Sequence, residues 1–103
     1  MAEGNLINLV QLNLTRNKIG KKGAKVLANG KFENLEQLNL ENNNIGDEGA
    51  KALANNNLTK LEYLSLKDNY IRNEGAKALA NGNFTKLQHL ILTEGVVMKL
   101  EKS

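Results

Sequence analysis

Apolar residues in this chain follow two alternating rhythms, and the alternation itself repeats. Leu9, Leu35, Leu61 and Leu87 lie 26 residues apart, and each opens a Leu-x-x-Leu-x-Leu unit. Within each unit the last two leucines (Leu12/Leu14, Leu38/Leu40, Leu64/Leu66, Leu90/Leu92) are separated by one residue, the period of a strand with one face buried. Three units continue x-x-Asn-x-Ile through Asn17/Ile19, Asn43/Ile45 and Asn69/Ile71, and then become Ala-rich, as in Gly46-Asp47-Glu48-Gly49-Ala50-Lys51-Ala52-Leu53-Ala54, which reads as a helix. A fixed period of this size marks stacked repeats. The chain divides into copies 2–27, 28–53, 54–79 and an incomplete 80–103, without insertion or deletion, as one domain spanning 1–103.

Strand, helix and strand with very short connections give parallel strands joined by right-handed crossovers. A unit this small cannot bury its own apolar face, so Leu12, Leu14 and Ile19 are expected to pack on Leu38, Leu40 and Ile45 of the next copy, and so on along a stack. The expected fold is an α/β solenoid, with a parallel sheet inside an arc and helices outside. The runner-up, a doubly wound parallel sheet, needs longer and less uniform units. Leu6, Phe32, Leu58 and Phe84, again spaced by the repeat, are expected to plug the connecting loops into the core. Asn17, Asn43 and Asn69 stand where the chain turns off the sheet, and a short amide there can satisfy backbone groups that lose their sheet partners.

The helix ends carry their own signals. Asp47 and Asn73 are expected as N-caps, with Glu48 and Glu74 at the positive end of the dipole. Lys21-Lys22 makes a poorer start for the first helix. Gly or Asn after each Ala run (Ala28-Asn29-Gly30, Ala54-Asn55-Asn56, Ala80-Asn81-Gly82) suits a left-handed C-cap. Gly23, Gly49 and Gly75 cost helix stability, so close approach of helix to strand layer is expected at each.

The run Leu-x-x-Leu-x-Leu-x-x-Asn-x-Ile-Gly-Asp-Glu-Gly-Ala-Lys-Ala-Leu-Ala resembles the leucine-rich repeats of the ribonuclease-inhibitor-like class. The likeness covers about residues 6–92. It implies a horseshoe segment that binds proteins on its concave sheet. Two departures stand out: the 26-residue repeat is short for that class, and the fourth copy has Gly95 in place of the Asn, followed by Val96-Val97-Met98-Lys99-Leu100.

Composition narrows the chemistry. With no cysteine there are no disulfides, thiolate metal sites or Cys nucleophiles. The start Met1-Ala2-Glu3-Gly4-Asn5 lacks a charged region followed by an apolar run, so no signal peptide is expected. No apolar stretch approaches the ~20 residues of a membrane span. These features point to a cytoplasmic protein, or one delivered from a cytoplasm. Net charge is only +3 and evenly spread, apart from Arg16, Lys18, Lys21, Lys22 and Lys25, which read as the solvated side of the first repeat, so neither nucleic acid nor membrane is expected as a partner. The single histidine, His89, and the single interior serine, Ser65, find no nucleophile–base arrangement, and the carboxylates lack metal-loop spacing. No enzyme activity, metal or cofactor is expected. The N-x-T sequons at Asn13, Asn57 and Asn83 are by-products of an Asn-rich repeat.

Function is then sought in what varies between copies. The sheet-face columns are Gln11, Gln37, Tyr63 and His89; Asn13, Asn39, Ser65 and Ile91; and Thr15, Glu41, Lys67 and Thr93. Neighbours in a column lie about one strand spacing apart, ~4.8 Å. The expected partner-binding residues are Gln37, Asn39, Tyr63, Ser65, Lys67, His89 and Ile91, with Tyr70 close by. The first two copies present bland amides and the last two present aromatics, the usual composition of an interaction hot spot. The alternative function is a structural, self-assembling module. Its open ends would stack into a homodimer or array, more readily at the C-terminal end through Val96, Val97, Met98 and Leu100, which could fold back as a cap or add a strand. Such regularity suits a minimal natural protein, a fragment or an engineered array equally. Leu9, Leu12 and Leu14 are expected on an exposed flank.

Overall fold

A computed structural model describes residues 9–30, 32–56, 58–93 and 96–99. Three strand–helix pairs follow one another: β1 (Gln11–Asn13) and α1 (Gly20–Ala28), β2 (Gln37–Asn39) and α2 (Gly46–Ala54), β3 (Tyr63–Ser65) and α3 (Asn73–Ala80). Two strands close the described chain, β4 (His89–Thr93) and β5 (Val96–Lys99). They form one sheet in the order β1-β2-β3-β4-β5. The first four strands are parallel and in register with the repeat, so that Leu12, Leu38, Leu64 and Leu90 stand in one row and Gln11, Gln37, Tyr63 and His89 in the next. The architecture is the α/β repeat solenoid that the periodicity predicts.

Strands of three residues are too short to persist alone, and neighbouring copies supply what they lack. Leu38, Leu40, Leu64, Leu66 and Leu90 are buried in one continuous core with Ala24, Ala50, Leu53 and Leu79 from the helices. Phe32, Leu58 and Phe84 plug the loops as expected, while Leu6 lies outside the described residues. Leu9, Leu12, Leu14 and Ile19 are only partly buried, because nothing among the described residues stacks on the first copy. That is the exposed flank anticipated from the sequence.

The asparagine ladder works between copies. The Asn69 Oδ1 accepts from the backbone N–H of Asn43 (2.8 Å) and of Ile45 (3.2 Å), and its Nδ2 donates to the Leu40 carbonyl (2.7 Å). One copy earlier, the Asn43 Oδ1 accepts from Asn17 N–H (2.7 Å) and Ile19 N–H (3.2 Å), and its Nδ2 donates to the Leu14 carbonyl (2.8 Å). The first and second turns are thus each completed by the side chain of the following copy. Two residues of every turn are left-handed: Arg16 and Lys18, Asn42 and Asn44, Asp68 and Tyr70.

Helix ends depart from the expectations in three ways. Asp47 does not cap its own helix. It lies inside α2, and its carboxylate accepts from the N–H groups of Arg72 (2.7 Å) and Gly75 (3.1 Å), capping α3 of the next copy. Asn73 is the first helical residue of α3 rather than its cap. The cause is position 72: Gly20 and Gly46 open α1 and α2 with φ of 65° and 68°, which a side chain disfavours, so Arg72 is extended (φ −116°) and α3 starts one residue later.

Second, the helices do not end on left-handed residues. Asn29, Asn55 and Asn81 have φ near −100° (−97°, −100° and −102°). The tightened last turn closes the ends instead, and in α2 the Asn56 Nδ2 also donates to the Leu53 carbonyl (2.6 Å). Third, the helix glycines make room for the isoleucine that precedes their helix (Ile19, Ile45 and Ile71) and, in α2 and α3, for the preceding helix rather than for the strand layer. A Cβ on Gly75 would come within 2.5 Å of the Asp47 Oδ1 and 3.1 Å of the Ala50 Cβ, both on α2.

At the far end β5 folds back antiparallel to β4, pairing Leu90 with Met98 and Ile91 with Val97. Val96, Val97 and Met98 therefore extend the sheet by a strand that occupies the edge a further parallel repeat would need. Their side chains, and Leu100 altogether, lie outside the described residues.

Replacing Asn69 by Ala leaves the N–H groups of Asn43 and Ile45 without their acceptor in a buried turn and is expected to cost about 3 kcal/mol in urea unfolding, against less than about 1 kcal/mol for exposed Asn17→Ala. Asp47→Ala is expected to cost about 1 kcal/mol, and amide exchange should quicken at Arg72 and Gly75 of α3 while Gly49 of α2 is unaffected.

Candidate functional site

Strand alternation sends the residues flanking the buried leucines to the open face of the sheet. Gln11, Asn13, Gln37 and His89 are exposed there, and Asn39, Tyr63, Lys67 and Ile91 are half-buried. Their register is that of the backbone ladder, with Gln37 beside Tyr63, Tyr63 beside His89, and Asn39 beside Ser65.

The amides are held in place. The Asn13 Oδ1 accepts from the Thr15 N–H (3.0 Å) and hydroxyl (2.6 Å), and the Asn39 Oδ1 accepts from the Glu41 N–H (3.0 Å) and, more distantly, the Thr15 hydroxyl (3.3 Å). With each carbonyl oxygen engaged by the chain, these side chains turn their donor ends to other groups at little further ordering cost. An open hollow of about 300 Å³ lies over them, lined by Gln11, Asn13, Gln37, Asn39 and Tyr63 with Leu12 and Leu38 beneath. The depression therefore sits on the amide side of the sheet, with Tyr63 as its wall. Of the residues expected from the sequence, Gln37, Asn39 and Tyr63 line this hollow, and His89 and Ile91 lie beyond Tyr63 on β4.

Ser65 corrects the expectation that its column faces a partner. It is 0% exposed, and its hydroxyl donates to the Glu41 Oε2 at 3.0 Å. A small side chain between larger neighbours is covered by the carboxylate reaching across from the adjoining strand. Glu41 is thus a structural lid that the column pattern did not reveal, since the contact is diagonal.

Tyr70 stands apart from Tyr63. It lies in the turn after β3, 73% exposed, and lines a separate hollow of about 400 Å³ with Asn42, Asp68, Asn69, Ile71 and Leu92. Its φ is 59°, matching Asn44 (58°) one copy earlier. Asparagine tolerates this region and a bulky aromatic does not, so an exposed tyrosine is held there under strain.

The basic cluster is split. Arg16 and Lys18 belong to the turn, whereas Lys21, Lys22 and Lys25 line a cleft between α1 and α2 that also contains Glu48 and Lys51. The Glu48 carboxylate lies 3.6 Å from the Lys51 Nζ and interrupts the positive surface. Among the described residues no three of His, Asp and Glu lie together as a metal set, and no helix is long and apolar enough to cross a membrane.

Tyr70→Asn should relieve the left-handed strain and raise stability by about 0.5–1 kcal/mol in urea or thermal unfolding. Unchanged or lowered stability would show that Tyr70 is held by contacts that outweigh its backbone.

Residues 5–28, 33–54 and 57–80 match the sequence model of a family described as Leucine Rich repeat. Neither a curated protein nor a solved structure matches the chain. The three matched segments coincide with the three strand–helix pairs, whose leucines fill one shared core. The chain belongs to the leucine-rich repeat family.

Proposed function

We propose that this protein is a non-catalytic scaffold that captures a partner protein on the open, concave face of its sheet. Leucine-rich repeats generally mediate protein–protein interaction. The observation that carries the reading for this chain is the Tyr63-walled hollow over the preorganised amides of Asn13 and Asn39. A hollow this small and open suits a side chain or an extended segment of a partner better than an enclosed small molecule. Amides offer hydrogen bonds to a polypeptide backbone, and an aromatic wall supplies apolar contact area at low entropic cost. Gln37, Asn39 and Tyr63 form the centre of this interface. Lys67, His89 and Ile91 extend it toward β4, and Tyr70 serves as a separate anchor at the edge. Ser65 acts only by positioning Glu41.

The test uses a partner recovered by affinity capture and then titrated with purified protein. Tyr63→Ala is expected to weaken binding by about 2 kcal/mol, roughly 30-fold, with an unchanged circular dichroism spectrum. Lys77→Ala, on the exposed side of α3, should bind like the parent chain. Full affinity in the Tyr63 variant would remove the sheet face as the binding surface.

A further inference from the structure

The helices carry a charged surface that the sheet-face reading does not use. The second and third copies open their helices with acid, Asp47 and Glu48 in the first turn of α2 and Glu74 in that of α3. The first turn of α1 has none, and Lys21 and Lys22 stand at the places of Asp47 and Glu48. Cations at that end oppose the helix dipole. The exchange also breaks a pairing. Glu48 lies three residues before Lys51, with their charged groups 3.6 Å apart, and Glu74 has the same spacing to Lys77. In α1 the two places are Lys22 and Lys25, a like-charge pair on adjoining turns. The helix itself gains nothing from these lysines.

Packing brings them together with a fourth. Lys21, Lys22 and Lys25 of α1 line, with Glu48 and Lys51 of α2, an open cleft of about 400 Å³. Its walls are fixed by the stack, since α1 and α2 approach so closely that a Cβ on Gly49 would lie 3.3 Å from the Lys21 Cα. The four lysines less the one carboxylate give the cleft a charge of +3, which is the net charge of the whole chain. The rest of the molecule therefore balances, and this cleft holds the excess. All three lysines of α1 are exposed, and among the described residues no carboxylate lies within ion-pairing distance of any of them. Glu48 is committed to Lys51.

We infer that this cleft is a second contact surface, which takes an extended segment of a partner protein carrying Asp or Glu at alternate positions. Spacing argues for a segment over a single anion. Lys21 and Lys25 are one helical turn apart, ~6 Å along α1. Lys25 and Lys51 hold equivalent places on neighbouring helices, whose axes pack ~8–10 Å apart. Alternate side chains of an extended chain lie ~7 Å apart, so successive carboxylates reach successive lysines where one phosphate would reach only some of them. Lysine also lacks the planar fork with which arginine grips a phosphate. No aromatic side chain among the described residues lines the cleft, so a nucleic acid finds no stacking platform there. Glu48 tempers the attraction, because a carboxylate in the cleft opposes any anion bound beside it. The helices lie on the opposite side of the molecule from the Tyr63-walled hollow, and the two surfaces are occupied independently.

Fluorescence polarisation of a labelled peptide alternating Glu and Ser, titrated with the full chain at low and at physiological salt, tests the inference. The expected result is saturable binding that weakens with salt and is absent when Gln replaces Glu in the peptide. Lys21→Asp combined with Lys22→Glu gives α1 the opening that α2 already folds with, and should weaken binding roughly tenfold or more. Glu48→Gln should tighten it about twofold or more. Lys77→Glu combined with Lys86→Glu removes the same charge from exposed positions elsewhere and should bind within roughly twofold of the parent, as should Tyr63→Ala. No binding by the parent chain overturns the inference, and so does an equal loss in the Lys77 and Lys86 variant, because net charge alone then explains the affinity. Tighter binding of inorganic phosphate, a single-stranded oligonucleotide or phosphatidylserine vesicles through the same lysines also overturns it, since the occupant is then of another class.

Discussion

The side-chain amide of Asn69 supplies what the second copy does not make for itself: an acceptor for two turn N–H groups, those of Asn43 and Ile45. Buried polar groups left unpaired would cost more than a three-residue strand gains from its few leucines. The turn can therefore leave the sheet at this point only if another copy lies against it. Parallel register, the shared leucine core and the left-handed turn residues all follow from that dependence. No copy is a folding unit by itself, and the stack is cooperative because the first two turns are each finished by the following copy.

This dependence has a direction. The second and third copies complete the turns of the copies before them, so the two ends of the stack are chemically different. The first copy presents the backward-facing strand groups of a repeat, with the exposed Asn17 side chain donating to the Thr15 carbonyl (3.2 Å). At the other end the fourth unit carries Gly95 where the amide would stand, and the chain reverses into β5, which takes the edge of β4. The outer edge of β4 is thereby covered by the chain's own strand, while among the described residues no strand pairs with the outer edge of β1.

The proposed interface uses positions that the stack leaves free. Gln11, Asn13, Gln37 and Asn39 contribute little to the core, yet their geometry is fixed by short bonds to the turn residues Thr15 and Glu41. Rigid, polar and shallow, this surface suits recognition of a polypeptide more than turnover of a small molecule. Tyr70 makes the complementary point, since an aromatic kept in a left-handed conformation and in solvent adds nothing visible to folding.

The sequence by itself determined what is common to the copies. The 26-residue spacing of Leu9, Leu35, Leu61 and Leu87 was enough to specify parallel strands, leucine rows, loop plugs at Phe32, Leu58 and Phe84, and asparagines acting on backbone groups. These are contacts between equivalent positions, and a period reports such contacts directly. Tertiary structure alone decided the contacts between positions that are not equivalent. Ser65 and Glu41 are 24 residues apart, Arg72 and Asp47 are 25 apart, and Gly75 and Asp47 are 28 apart. Each reaches diagonally to the neighbouring copy, and its existence depends on how far one unit is rotated and shifted against the next. That offset is a property of packed helices and twisted strands, with no trace in a linear pattern. For this reason the burial of Ser65, the capping of α3 by Asp47 and the position of the hollow beside Tyr63 emerged only in three dimensions.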